Sequence, residues 1–399
     1  MVRAGTPALA AADPGTAGRS RPTTPLTVRT VSSFAEFETL AGPWNDLLAR
    51  SRYDILFLHH EWLRTWWSVF AEPHWRMRVL LAHEGERLVA AAPLVRKRNP
   101  GGLPRDVIEF WANSHTFRTD FVIDRDRDPE PVLEQLWKHL LRTEKGWDLL
   151  RLKDLADENG SADLLRAIVS RDAVPASKEE LVETPYLPLD RSWDDYFRTR
   201  SKNHRKNMRR VMHKLEQNGG WKLAVFADAA AIDEPLERGL EIEGSGWKGA
   251  GRSSILSDAR TAAFYRGLAR RFSALGLVRL FVLKLGGKDA AFDFCINYRG
   301  RVYALKTGYD ESYAHYSPGQ ILQMTELQEI FASGESEYDF IGPKMKFKTR
   351  WTDHLRRHWT LYVYGRTVRG RALQQLNQRV LPVLRRSRLL RRLKQLRGR

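Results

Sequence analysis

One order of elements occurs twice along this 399-residue chain: strand, helix, helix, β-hairpin, strand, helix, strand. The first copy opens on a β-like run, Leu26 to Val31, then a helical stretch from Ser33, a good N-cap, to about Ala49. A second helix, 59–70, spaces Trp62, Trp66 and Phe70 four apart. A hairpin at 76–98 turns around Glu84-Gly85-Glu86, and a strand region (107–123), a helix (129–143) and a strand (147–155) complete the copy. The second copy has a strand at 221–226, a helix at 229–243 and a helix at 258–275 capped by Ser257 or Asp258. Its hairpin, 278–298, turns at Gly286-Gly287, and a strand (301–310), a loop, a helix (319–332) and a strand (337–343) follow.

A meander of antiparallel strands followed by a β-α-β unit predicts a mixed sheet with helices on both faces. The fold expected is therefore α/β, with mixed sheets in two tandem units. A leader at 1–25 precedes a first unit at 26–184 and a second at 185–365, which begins with a basic connector reaching about residue 220; a basic tail, 366–399, ends the chain. The length suits two cores better than one. With 42% hydrophobic residues, 29% charged and 11% aromatic, the composition is that of a folded chain. The single cysteine, Cys295, excludes an internal disulfide framework and a Cys-rich zinc site, and no metal is expected. No apolar run approaches the ~20 residues of a membrane span. The leader lacks an aliphatic segment, so it reads as disordered and the chain as cytoplasmic.

The two copies differ where the helix of the β-α-β unit begins. A helix N-terminus with unpaired N–H groups receives a pyrophosphate well. The second copy reads HYSPGQIL, 315–322: Ser317 for a cap, Pro318 for the first turn, Gly319 for close approach, then Gln320. The first reads IDRDRDPEPVL, 123–133, where Asp124, Asp126, Asp128 and Glu130 would repel such a ligand. Cofactor binding is therefore expected in the second unit, and a structural or acceptor-binding role in the first. A capped helix without a ligand is the alternative.

Several blocks resemble the GNAT-type acetyltransferases of the CelD/BcsL group, associated with cellulose and exopolysaccharide biosynthesis and related to the FemAB peptidyltransferases. They are FLHHEWLRTWW (57–67), SKNHRKNMRR (201–210), GWKGAGRSSI (246–255), YALKTGYDESYAHYSPGQIL (303–322) and YDFIGPKMKFKTRW (338–351), spread over about three quarters of the chain. The resemblance implies tandem GNAT-like domains, acetyl-CoA or another acyl-CoA as donor, and acyl transfer to an amine or hydroxyl. Lys306, inside the longest block, joins Ser317, Pro318, Gly319 and Gln320 as a cofactor-binding candidate. The Ser-Pro-Gly-Gln sequence departs from the Gln/Arg-x-x-Gly-x-Gly/Ala loop of typical members.

Acyl transfer to an amine needs a base for its proton and an acid for the leaving thiolate. Asp339 lies on the strand after the cofactor helix, either facing the acceptor or buried and holding the Gly342-Pro343 turn. Glu243 ends a helix, where an acid opposes the dipole; it is either functional or solvated surface. Asp310 follows the strand at 301–309 and can act or cap the turn. His315 is the histidine beside the loop, catalytic or incidental. Trp247, Lys248 and Lys346 are read as an acceptor-binding rim, although Lys344-x-Lys346-x-Lys348 also suits an exposed edge strand. Arg205, on a basic helix over 201–219, is placed at the acceptor cleft.

The net charge is +18, and twelve cations fall between Arg366 and Arg399 with no acid among them, leaving +6 elsewhere. Leu373, Leu376, Val380, Val383 and Leu384, then Leu389, Leu390, Leu393 and Leu396, give the tail amphipathic stretches on either side of Pro382. Such a tail suits peripheral contact with an anionic membrane. No aromatic residue interleaves the arginines for base stacking, so nucleic acid is not an expected partner. The expected partner is a saccharide or small-molecule acceptor. The alternatives are a FemAB-like transferase using aminoacyl-tRNA and a non-catalytic scaffold in polysaccharide assembly.

Overall fold

A computed structural model describes residues 25–217, 219–245 and 255–380. The expected leader at 1–24, Trp247, Lys248 and the tail from 381 onward lie outside the described residues.

The first half begins with β1 (Leu26–Val31), α1 (Phe34–Glu38), α2 (Ala41–Ala49) and α3 (His60–Phe70). The single helix expected over 33–49 is thus two: Ser33 does cap α1, accepting from the Glu36 N–H at 3.2 Å, but the chain breaks at Thr39-Leu40. Next come β2 (Arg76–Glu84), β3 (Arg87–Arg98), β4 (Asp106–Phe110), β5 (Val122–Ile123), α4 (Pro129–Thr143), β6 (Leu149–Ala156) and α5 (Ser161–Arg171). A long strand, β7 (Ala176–Pro188), leads to α6 (Trp193–Thr199) and α7 (Lys202–Gln217). The second half repeats the order with β8 (Trp221–Phe226), α8 (Asp233–Ser245), α9 (Ala259–Ser273), β9 (Val278–Leu285), β10 (Lys288–Tyr298), β11 (Arg301–Tyr309), α10 (Pro318–Ala332) and β12 (Glu337–Asp339). Of the two caps considered for α9 it is Asp258 that serves, accepting from Arg260 and Thr261. β13 (Leu355–Tyr364) and α11 (Val368–Gln375) complete the described chain.

All strands join one 13-stranded mixed sheet in the order β1-β2-β3-β4-β6-β13-β7-β12-β11-β10-β9-β8, with β5 on β3. β4 runs parallel to β6 and β11 parallel to β12; the other pairings of named strands are antiparallel. The halves are sewn together by exchange. β13, late in the chain, inserts between β6 and β7, and β7 pairs with β13 over Ala176–Pro185 and then with β12 over Tyr186–Pro188. The line drawn at 184/185 therefore falls inside a strand shared by both halves, and the expected connector contains α6 and α7.

Helices cover both faces. α4 and α5 pack on one face of the first half, and α6, α7 and α10 on one face of the second. Helices α1, α2, α3, α8 and α9 share a core between the halves, in which Trp62 of α3 meets Phe264 of α9 edge-on at 5.4 Å. Gly267 permits that contact, because a Cβ there would stand 2.8 Å from Thr65 Cγ2. The Trp-rich face of α3 is consumed by this packing, with Trp62 and Trp66 fully buried. Among the described residues no helix is long and apolar enough to cross a membrane.

Candidate active site at the open edge of β11

β11 and β12 pair over three positions only, Arg301–Tyr303 with Glu337–Asp339. Beyond Tyr303 the pairing stops, and among the described strands none pairs with the edge of β11 from Ala304 to Tyr309 on the β12 side. A bulge shapes this stretch: Lys306 pairs with Phe294 but Ala304 with Cys295, leaving Leu305 as the extra residue. The flip in side-chain alternation puts Leu305 and Lys306 on the same face, towards α9, where Lys306 Nζ lies 5.0 Å from the centre of the Tyr265 ring.

Glu243, at the end of α8, stands beside this strand. Its side chain is buried, and Oε2 accepts from the Ile255 N–H at 2.8 Å. The solvated-surface alternative for Glu243 is thereby excluded. Gly308 makes the approach possible, since a Cβ there would meet Glu243 Cα at 2.9 Å.

Next to Lys306 lies a network that sequence reasoning missed. His115 Nδ1 is 3.2 Å from Tyr265 Oη and Nε2 is 3.3 Å from Thr261 Oγ1, and the Thr261 hydroxyl donates to Asp258 Oδ2 at 2.6 Å. Burial, reinforced by nearby Lys306, pushes His115 down to about 4, so the imidazole is neutral at physiological pH. The directions then follow. Thr261 spends its proton on the carboxylate, so it accepts from Nε2–H; Nδ1 is left as acceptor for the Tyr265 hydroxyl. Residues 115, 258–265 and 306 are distant in the chain, and no local spacing announces that they meet.

At the far end of β11, Asp310 accepts from the Ser312 N–H at 2.9 Å and caps a 3-10 turn, Glu311–Tyr316. The His315 ring meets that of Tyr316 at a 45° tilt with centres 3.9 Å apart, and the His315 carbonyl accepts from Lys214 Nζ at 3.2 Å. Pro318 occupies the first turn of α10 as expected, but Ser317 gives no side-chain cap. Ser317 instead adopts a left-handed backbone, φ 56°, and its carbonyl takes the N–H groups of Gln320 (3.0 Å) and Ile321 (3.3 Å). Of the first helical amides, that leaves Gly319 to face outward. A Cβ at Gly319 would meet only Tyr309 Cδ1, at 3.5 Å, so there is room beside this half-buried glycine, although Pro318 before it is buried. Gln320 Oε1 accepts from Arg350 (3.2 Å) and Asn207 (3.5 Å), tying α10 to α7 and to the segment after β12.

The other candidates lie elsewhere. Asp339 is fully buried, ion-paired with Arg118 of the first half and 3.4 Å from Arg356, and it accepts from the Ile341 N–H at 2.9 Å. Of its two sequence readings the structure places it in the second, holding the turn before Gly342. Arg205 reaches back to the Arg200 carbonyl at 3.1 Å. Lys346 is exposed on a turn; 344–350 forms no edge strand, because Lys348 buries its ammonium against the Ile341 carbonyl at 2.5 Å.

A strand parted from its neighbour, with a loop and helix N-terminus at the mouth, is the arrangement that decides the comparison. Residues 202–349 match an acetyltransferase (GNAT) domain. No curated protein matches the chain in sequence. Among solved structures it is similar to FemX, at 13% identity over 88% of this chain and 99% of that one, with a TM-score of 0.58. It is also similar to the C-terminal domain of a proposed lysylphosphatidylglycerol synthetase from Agrobacterium fabrum, at 11% identity over 86% and 97%, TM-score 0.51. A tandem GNAT protein from the clavulanic acid biosynthesis pathway aligns at 14% identity over 86% and 100%, TM-score 0.48. At these identities the likeness is one of fold. The GNAT domain coincides with the second half, which holds the open β11 edge, and it makes the chain an enzyme of the acyltransferase type.

Proposed function

We propose that the chain is an acyl-CoA-dependent acyltransferase that passes its acyl group directly to an amine or hydroxyl of a sugar, a polysaccharide precursor or a small molecule. The observation that carries this is the parted β11 edge, with Glu243 against Gly308 and Gly319 beside Tyr309, both at the C-terminal end of the strand. The residues fit an acyl-CoA. The β11 edge offers backbone groups to an extended amide-bearing arm, and Lys214 and Arg350 supply positive charge beside Ser317, Pro318, Gly319 and Gln320. Acetyl-CoA is the donor favoured by the CelD/BcsL resemblance.

When bound, the thioester supplies the electrophilic carbonyl. Glu243 is the base: the Ile255 N–H fixes its carboxylate, and burial keeps water from competing for it. Lys306 lies with its ammonium 5.0 Å from the ring centre of Tyr265, whose hydroxyl feels the Glu243 charge. The His115 network holds the Tyr265 proton in one direction. Asp310 and His315 shape the loop.

A second reading, transfer from aminoacyl-tRNA, draws on the basic face of α7 (Lys202, Arg209 and Arg210, all exposed), which flanks the loop. Thermal denaturation with acetyl-CoA, CoA, longer acyl-CoAs and aminoacyl-tRNA separates the two. Stabilisation by acyl-CoA alone supports the first reading; stabilisation by aminoacyl-tRNA alone replaces it. Residues 366–399 are proposed to touch an anionic membrane, which a flotation assay on a chain ending at 365 tests.

A further inference from the structure

A cavity of about 590 Å³ opens between the first half and the β10–β11 turn of the second, and therefore at the opposite end of β11 from Lys306 and Gly308. Its wall includes Ser51, Arg52, Tyr53, Arg125, Arg299 and Arg301. It lies beside Pro129, the start of α4, the counterpart in this half of the α10 start described above.

The sequence sets that helix start against anions, because four acids crowd it. The folded chain turns them away from the cavity. Asp124 is fully buried and bound by Arg50 (3.2 Å) and Arg87 (2.6 Å). Asp128 caps α4 by accepting from the Glu130 N–H at 3.0 Å, and Glu130 pairs with Arg171 at 2.5 Å. None of these acids, nor Asp126, lines the cavity.

What does line it is cationic. Of the two wall acids, Asp54 is taken by Arg299 at 2.9 Å and Glu158 by Arg356 at 2.5 Å. Arg52 donates to the Arg127 carbonyl (3.1 Å) and Arg125 to those of Arg50 (3.0 Å) and Ala49 (2.7 Å), neutral acceptors that leave both charges standing. Among the described residues no carboxylate forms an ion pair with Arg52 or Arg125, while Arg301 lies in the field of its strand partner Glu337. Two buried hydroxyls also lack a partner: Ser51 Oγ and Tyr53 Oη, in residues 5% and 7% exposed. A buried polar group without a partner is costly and marks a place where a ligand or water completes the structure.

We propose that this cavity is a second, separate binding site, for a small organic phosphate of about hexose-phosphate size. The volume falls in the range of small-molecule sites, planar guanidinium groups match phosphate oxygens, and the two hydroxyls suit a polyol body. The site is independent of the acyl-transfer reading and stands whether or not acyl-CoA is the donor.

The test is calorimetric titration of the full chain with glucose 6-phosphate, inorganic phosphate and glucose. The site predicts saturable binding of glucose 6-phosphate, weaker binding of phosphate and none of glucose. Arg52→Ala and Arg301→Gln each weaken glucose 6-phosphate roughly tenfold, the loss of one charged contact. Tyr53→Phe, which keeps the ring in the core, weakens it severalfold. Gly319→Glu leaves it unchanged, which separates this site from the proposed donor site. Absence of binding, or binding abolished by Gly319→Glu and untouched by Arg52→Ala and Tyr53→Phe, overturns the proposal.

Discussion

Gly308 and Glu243 touch: a methyl group on the first would lie 2.9 Å from the Cα of the second and 3.0 Å from its Cβ. The contact sets how deeply the carboxylate sits beside the open strand edge. Gly308→Ala is expected to push α8 outward at a cost of about 1–3 kcal/mol and to lower kcat more than it raises KM for acyl-CoA. Steady-state kinetics on the purified variant reads this directly. An unchanged kcat would detach Glu243 from the chemistry.

Asp339 gives the opposite expectation. It is buried between Arg118 and Arg356; Arg356 also holds Glu158 and Glu337, but Asp339→Asn strands the Arg118 guanidinium in the core and should destabilise the chain by about 3–5 kcal/mol. Urea denaturation measures the loss. The surviving folded fraction should keep its turnover per molecule, whereas a stable variant with kcat reduced a thousandfold would make Asp339 the base.

The contrast between these two acids shows what the sequence carries. Period and turn residues place β1, α4, β8 and both hairpins at or within a residue or two of their observed bounds, because each is a local pattern. β7 and β13 escaped that reading. Their partners lie far away in the chain, 187 residues apart in the Ser177–Tyr364 hydrogen bond and further still where β13 meets β6, and strand exchange leaves no local mark. The site divides in the same way. The loop at 310–320 is legible as one segment, and its Pro318 and Gly319 keep the expected positions. That Glu243 lies against β11 while Asp339 is buried in an ion pair depends on Gly308, Ile255 and Arg118, which only folding brings near. Ser317 departs because its left-handed backbone, φ 56°, replaces the extended conformation from which a capping hydroxyl reaches the first helix amides.

Ser317 therefore supplies a sharp check. With no side-chain cap to lose, Ser317→Ala should change stability by less than about 0.5 kcal/mol, against about 1 kcal/mol for removal of a true cap. Ser317→Gly should stabilise by up to about 1 kcal/mol, since φ 56° is free of strain for glycine. Thermal denaturation of both variants distinguishes the cases. A large loss in Ser317→Ala would restore the hydroxyl as the cap.

Asp154 predicts a pH dependence. Burial raises its carboxyl from 3.8 to about 7, with Lys153 opposing. His358, 4.0 Å away, is itself lowered to about 3, by burial first and then by Arg118, and so offers no compensating charge at neutral pH. Because the folded state holds this proton more tightly than the unfolded state, stability is full below pH 3.8 and is lost as pH rises through 7. The loss is on the order of 4 kcal/mol. Asp154→Asn should stabilise the chain at pH 8, leave it nearly unchanged at pH 4 and flatten the slope between. Asparagine also accepts the φ of 60° at this position. Equal slopes in the two proteins would refute the assignment.

The most direct test of the donor site is calorimetric titration of the full chain and of Gly319→Glu with acetyl-CoA and CoA. If the donor lies along β11 with its phosphates at the start of α10, the parent chain binds both and is stabilised by about 2.7 kcal/mol at a hundredfold excess over Kd. The variant, folded and carrying a carboxylate at that helix start, binds neither. Undiminished binding by Gly319→Glu, or no binding by the parent, would contradict the account.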